Sequence, residues 1–366
     1  MIGVLGAGQL GRMLALAGIP MSESFTFLHP QESAGVRGLG RLIVSAYDDP
    51  KHLEELARTS EVVTYEFESV PAEPVRWLAS RVPVHPPPRA LEVSQDRLAE
   101  KTFLEELGIP TAGYARVDDQ KTLEDAVQRL GFPSFLKTRR GGYDGKGQKR
   151  LDRPADVEGA FAALGGVPLI LESHVAFGRE LSILAARSTS GEVRVYPLVE
   201  NEHRAGILRV SRAPAPWTTP ALEEKAYAYA AHVAEKLEYV GVLAIELFHA
   251  DGDVLIANEM APRVHNSGHY SIEGAETSQF ENHLRAIRGL PLGETRSVGP
   301  SAMVNLIGGI PATKDILAVP GAHLHLYGKE PKPGRKVGHV TLRAPTSEAL
   351  AQSLARMNEL VRAVEA

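Results

Sequence analysis

Along the first ~95 residues, short apolar runs alternate with stretches of helical period. Runs at 2–5, 25–28, 42–44 and 62–65 predict strands, and 12–17, 52–58 and 73–80 predict the helices between them. Such alternation predicts parallel βαβ units. The run Pro86-Pro87-Pro88 breaks the pattern, and a domain boundary is expected just after it. At 96–107, apolar residues at 98, 103, 104 and 107 among charges predict an amphipathic helix, stopped by Gly108 and Pro110. A compact α+β section follows, with helices expected at 122–130 and 154–164 and strands at 134–137 and 169–172. The section 181–306 is richer in strands and carries helices at 220–237 and 278–288. Strands at 323–326 and 339–342 and a helix at 347–364 complete a small C-terminal unit. The expected division is 1–95, 96–290 with a smaller subdomain at about 112–172, and 291–366.

Composition narrows the class. With 366 residues, 43% of them hydrophobic, the chain can bury a sizeable core in two or three domains. Forty basic against 45 acidic residues give a net charge of −5, so no global field favours nucleic acid or an acidic membrane. Anionic ligands must be met by local clusters. Cysteine is absent, which excludes disulfides, thiolate zinc sites and cysteine nucleophiles. No basic region followed by an apolar stretch opens the chain, and no window approaches 18 uninterrupted apolar residues. No leader, no membrane span and a cytoplasmic location are therefore expected.

Three segments carry candidate chemistry. Gly6-Ala-Gly8-Gln-Leu-Gly11 follows a strand and opens a helix, where bare amides can approach a phosphate. A nicotinamide enzyme would place an acid at the end of the second strand. That strand ends His29-Pro30-Gln31, with Glu32 arriving late, so a phosphate site or a tight structural turn remains. The second segment, from Lys137 to Gln148, packs four glycines and four cations into twelve residues without the Walker spacing. Its expected role is a mobile lid over polyphosphate rather than a plain hairpin. Lys101, on the preceding helix, matters only if that helix docks beside Lys137.

The third segment is a pair of strands, 242–248 and 254–260, bearing Glu246 and Glu259. Asp251-Gly252 predicts a two-residue turn that sets Ala250 opposite Asp253 and Glu246 opposite Ala257. Glu259 then lies diagonally from Glu246 on the same face. Two carboxylates on apolar strands repel by about 4 kcal/mol at 4 Å and an effective dielectric near 20. A magnesium ion bridged onto phosphates removes that cost. Two edge-strand glutamates facing solvent are the plain alternative, which the polar run Arg263-Val-His265-Asn266-Ser267-Gly268-His269 disfavours. His265 and His269 at i, i+4 would suit zinc only on a helix, and Asn266-Ser267-Gly268 is poor helix sequence.

Together these residues resemble the ATP-grasp superfamily and, within it, the 5-(carboxyamino)imidazole ribonucleotide synthases of purine biosynthesis. The resemblance runs over nearly the whole chain. It is carried by Gly3-Val-Leu-Gly-Ala-Gly-Gln-Leu-Gly-Arg-Met13, Gly141-Gly-Tyr-Asp-Gly-Lys-Gly-Gln148, Asn258-Glu-Met-Ala-Pro-Arg-Val-His-Asn-Ser-Gly-His269 and Pro333-Gly-Arg-Lys336. Met260 stands where the family pattern has leucine, a change of little volume. The implied fold is α/β: an ATP-grasp domain behind an N-terminal Rossmann-like pre-ATP-grasp domain of parallel βαβ units, then a small C-terminal domain.

The resemblance also implies roles. Arg97, Lys101 and Lys137 would serve the nucleotide phosphates under a loop of Gly142, Tyr143, Asp144, Gly145, Lys146, Gly147 and Gln148. Glu172, Ser173, His174 and Val175 would recognise adenine, Glu180 the ribose, and His203 and Asn258 would complete the nucleotide site. Glu246 and Glu259 would bind Mg2+. Aminoimidazole ribonucleotide would meet Tyr143, Asp144, Arg263, His265, Asn266, Lys332 and Arg335, with Gly8, Gln9 and Leu10 near its phosphate. The implied reaction joins ATP and bicarbonate into carboxyphosphate, which carboxylates the exocyclic amine of that nucleotide. Arg263 would steady bicarbonate or carboxyphosphate, Asp144 or His265 would take the amine proton, and Asn266 is a further catalytic candidate. A homodimer is a further implication, and another ATP-grasp ligase or carboxylase is the alternative.

Overall fold

In the computed structural model, the described residues are 1–142 and 146–365. The chain opens with a parallel sheet in the order β3-β2-β1-β4, formed by β1 (Ile2–Leu5), β2 (Phe25–His29), β3 (Arg41–Val44) and β4 (Val62–Tyr65). β1 and β4 are buried along their whole length, because helices cover both faces of a parallel sheet. These are α1 (Gln9–Gly18), α2 (Pro50–Thr59) and α3 (Ala72–Ala79). The proline run lies in the connection after α3, and its last residue opens the next helix. Pro88 begins α4 (Pro88–Ser94), where the missing N–H of a first-turn proline costs nothing. Asp96 then caps α5 (Arg97–Glu106), accepting from the Leu98 N–H at 3.0 Å.

A four-stranded antiparallel sheet follows, in the order β5-β8-β6-β7: β5 (Tyr114–Val117), β6 (Ser134–Thr138), β7 (Gln148–Leu151) and β8 (Leu169–Ser173). α6 (Gln120–Leu130) packs on it. The helix expected at 154–164 is a 3-10 turn and a short α7 (Ala160–Ala163), interrupted by Gly159 at φ 67°. β6 and β7 pair with Lys137 opposite Gln148, so the glycine-rich loop closes a hairpin after all.

The remaining strands form one large sheet in the order β14-β13-β9-β11-β12-β15-β17-β16, with β10 beside β9. In chain order these are β9 (Arg179–Arg187), β10 (Val193–Val195), β11 (Val199–Arg204), β12 (Ile207–Ala213), β13 (Gly241–Ala250), β14 (Val254–Ala261), β15 (Ser301–Ile307), β16 (Ala322–Leu326) and β17 (Lys336–Arg343). The C-terminal strands thus extend the central sheet, and α12 (Ser347–Arg362) covers them.

Period two decides what each face of β13 meets. Leu243, Ile245 and Leu247 pack under α8 (Pro220–Lys236). Val242 and Ala244 turn the other way, toward α10 (Gln279–Ile287) and α1. Glu246 continues that second face, beyond the helices. Among the described residues no helix is long and apolar enough to cross a membrane.

Candidate active site

The two predicted carboxylates meet, but not in the expected register. The turn is one residue longer than Asp251-Gly252 implied, so Ala250 pairs with Val254 and Leu247 with Ala257. The register then shifts at Asn258, and Glu246 lies directly opposite Glu259. This is a β-bulge, with two residues of β14 set against one of β13. Its trace is that Ala257 and Met260, three apart, both join the core under α8. β14 is the edge strand and Glu259 is exposed, as the plain alternative held, whereas the Glu246 side chain is only 19% exposed. Burial, and then the charge of Glu259, push the Glu246 carboxyl up to about 7.

A chain of small polar groups supports Glu246. His265 Nε2 lies 3.3 Å from its carboxylate, and His265 Nδ1 lies 2.9 Å from Ser267 Oγ. Ser182 donates to Ser267 at 2.7 Å, Asn201 to Ser182 at 3.1 Å and Ser211 to Asn201 at 2.8 Å. Burial, reinforced by the charges of Arg263, Lys336 and His203, holds the His265 imidazole far below its ordinary value, hence neutral. His265 and His269 occupy a loop and 3-10 turn, not a helix, and His269 faces Gln279 rather than a shared metal. Nearby, His203 Nδ1 lies 2.9 Å from Glu180. Burial works against the charged imidazole there, but Glu180 and Glu246 outweigh it and raise the pKa.

The cationic side assembles as the sequence suggested. Lys137 pairs with the buried Glu172 at 2.9 Å, and Lys101 lies 3.7 Å from the same carboxylate. α5 therefore docks beside Lys137, and Lys101 is buried rather than a surface charge. Arg97 donates to the carbonyls of Thr138 and Gly142, each at 2.9 Å, which ties down the base of the glycine loop. Gly147 bends that base at φ 71°, while Tyr143, Asp144 and Gly145 lie outside the described residues. Ser173 ends β8, and His174 and Val175 open the connection to β9; the His174 N–H donates to the Pro133 carbonyl and its ring stacks on Phe135.

The glycine loop of the N-terminal sheet already has an anionic partner. Glu66, at the end of β4, accepts from the Gly8 and Gly11 N–H groups, the latter at 2.6 Å. Burial raises its pKa against those two bonds. Leu10 is core. Gln9 accepts from Lys329, across from the C-terminal unit. Arg263 forms an ion pair with Glu68, and Asn266 exchanges amide contacts with Asn305. Lys332 and Arg335 are exposed, and the Arg335 side chain donates to the Glu330 carbonyl at 3.4 Å. The cations of that segment nearest the site are Lys329 and Lys336, whose charges act on Glu66, Glu246 and His265.

Sequence reasoning also missed Glu66, Glu68, Glu100 and Gln279, which no spacing rule marks. Among the described residues no three His, Cys, Asp or Glu side chains gather into a metal cage. Two facing carboxylates suit an ion that takes its other oxygens from a bound phosphate and water.

Three family descriptions match in series: a ribonucleotide synthetase preATP-grasp domain over residues 1–95, an ATP-grasp domain over 102–280, and a phosphoribosylaminoimidazole carboxylase C-terminal domain over 301–353. An N5-carboxyaminoimidazole ribonucleotide synthase of Pseudomonas aeruginosa is 53% identical over 362 residues, 99% of either chain. The crystal structure of the corresponding synthetase from Thermus thermophilus superposes with a TM-score of 0.95 at 55% identity, covering 98% of both chains. A synthase from Aspergillus clavatus, in complex with ADP and 5-aminoimidazole ribonucleotide, gives 0.92 at 32% identity, covering 99% of this chain and 98% of that one.

Proposed function

The chain belongs to the N5-carboxyaminoimidazole ribonucleotide synthase family, and from that premise we propose how its residues divide the work of the reaction. It is an ATP-dependent ligase of purine biosynthesis, acting on the exocyclic amine of 5-aminoimidazole ribonucleotide. In the proposed reaction bicarbonate attacks the γ-phosphate of ATP, and the resulting carboxyphosphate carboxylates the amine. The observation that carries this reading is Glu246 facing Glu259 across the bulge, with Lys101 of α5 reaching from the adjoining Asn258 carbonyl to the Glu172 carboxylate that it shares with Lys137.

The nucleotide is proposed to lie between the two antiparallel sheets, with its base against residues 172–175 at the end of β8 and its ribose at Glu180 and His203. Lys137, Arg97 and the 142–148 loop meet its phosphates. The facing pair fits Mg2+, since Glu246 is pushed up by burial and by its neighbour in a way that a hard cation reverses. Bound there, the ion offsets the charge that builds as one anion attacks another. The loop excludes water from carboxyphosphate, which would otherwise hydrolyse.

Arg263, held in place by Glu68, steadies carboxyphosphate. His265 and Asn266 flank the imidazole nucleotide, with Lys332, Arg335 and the 8–10 loop at its phosphate; Lys329 and Lys336 add to the positive charge there. Neutral His265 is a weak base, which makes Asp144 the better acceptor of the amine proton. We propose further that the chain divides at 1–95, 96–290 and 291–366, and that the enzyme works as a cytoplasmic homodimer. Release of ADP in the presence of bicarbonate, with and without 5-aminoimidazole ribonucleotide, tests the substrate. Strong stimulation is expected, and equal rates overturn the assignment.

A further inference from the structure

Two consecutive charged residues of α5, Glu100 and Lys101, are 2% and 1% exposed, and Lys101 shares the Glu172 carboxylate with Lys137, at 3.7 Å. Both also hydrogen-bond to main-chain groups of β14. Glu100 Oε1 accepts from the Met260 N–H at 2.7 Å, and Lys101 Nζ donates to the Asn258 carbonyl at 3.1 Å. The two contacts flank Glu259 on either side. One residue pair earlier, the Pro110 carbonyl takes the Ala257 N–H at 2.7 Å.

An edge strand turns a row of unpaired polar groups outward, and a bulge adds to them. Here α5 covers that edge with its own carboxylate and ammonium. The alternative is concrete. If the hairpin register ran on past Leu247 without the bulge, Asn258 would face Glu246 and Glu259 would pair with Ile245. A one-residue slip sends a side chain to the other face, and that face of Ile245 is the apolar core under α8.

We propose that Glu100 and Lys101 are positioning residues that clip the bulge around Glu259 and so hold the metal-binding register of the Glu246–Glu259 pair. Burying two ionisable groups is costly unless they are hydrogen-bonded, and fixing a register is the kind of specificity that such groups best provide. The inference rests on the reading of Glu246 and Glu259 as cation ligands.

The test uses the full chain, with ADP as ligand and Mn2+ as probe, binding being followed by calorimetry with and without the metal. Wild type is expected to bind ADP more tightly with Mn2+; no metal effect in wild type overturns the metal reading and this inference together. Glu100→Leu removes the acceptor and is expected to weaken metal-dependent binding roughly tenfold or more, the range typical of groups that orient metal ligands, with metal-free ADP binding within about twofold of wild type. Glu100→Gln keeps an acceptor oxygen and is expected to restore most of it. Glu100→Met, which also removes the acceptor but keeps an unbranched side chain of similar length, gives the same reading should Glu100→Leu fail to fold. If these variants melt at lower temperature yet bind Mn2+ with ADP as wild type does, the clip is structural only and the proposal is overturned.

Discussion

The side-chain amide of Gln279 pairs with both main-chain polar groups of His265, accepting from its N–H at 2.8 Å and donating to its carbonyl at 2.7 Å. A buried helix residue thereby acts as a strand partner for a loop that has none. The loop carries Arg263, His265 and Asn266. Gln279→Leu leaves the buried His265 N–H unpaired, at about 1–3 kcal/mol, and takes from its carbonyl one of two donors, the Gly268 N–H at 3.0 Å remaining. The expected outcome is a lower melting temperature and a fall in kcat of about 100-fold, since small misplacements of reacting groups have such effects. KM for ATP should change little; steady-state kinetics beside thermal melts check this.

Gly268 sits against the same amide. A Cβ there would lie 2.8 Å from the Gln279 amide carbon and collide with Leu184. Gly268→Ala is therefore expected to destabilise by about 1–3 kcal/mol, as overpacked cores do, and to lower kcat in the same way as Gln279→Leu. Combining the two changes should cost less than their sum, because both act through one side chain. Strict additivity in a double-mutant cycle would refute the shared route.

Glu259→Ala removes one of two facing carboxylates. Turnover should be lost, while the melting temperature of the ligand-free protein stays level or rises, because a repulsive contact is gone. Coupled-enzyme assay of ADP release and calorimetric melting measure the two effects. Retained activity would refute the metal role of Glu259.

Glu172 gives the pH dependence. Burial would raise its pKa, but the charges of Lys101 and Lys137 prevail and hold it below its ordinary 4.5. A depressed folded pKa means stabilisation that is fully present above about pH 4.5 and is lost as pH falls through the folded value. Glu172→Gln leaves the buried Lys101 and the part-buried Lys137 without their counter-charge, and about 3 kcal/mol of stability should go at about pH 7. Denaturant titrations should show the gap from wild type closing below pH 4.5. A gap independent of pH would contradict the assignment.

Much of this arrangement was legible in the residues. Short apolar runs alternating with helical patterns located the N-terminal sheet, and the apolar strands bearing Glu246 and Glu259 marked the centre. The register was not legible, because the bulge at Asn258 depends on what covers an edge strand, and that cover comes from α5, 160 positions away. The spacing of Ala257 and Met260 on one face was the available signal. Glu66 escaped notice for a similar reason: a lone acid after β4 gains meaning only when the fold brings it to the Gly8 and Gly11 amides. The cluster at 329–336 was recognised, but which of its cations turn inward depends on the β16–β17 connection rather than on composition.

The central claim is that this chain activates bicarbonate with ATP for transfer to an amine. Turnover with 18O-labelled bicarbonate, ATP and 5-aminoimidazole ribonucleotide tests it most directly, by mass analysis of the phosphate released. Attack of bicarbonate oxygen on the γ-phosphate leaves that oxygen in the product, so one labelled oxygen per ADP formed is the result predicted. Unlabelled phosphate accompanying carboxylated product would contradict it.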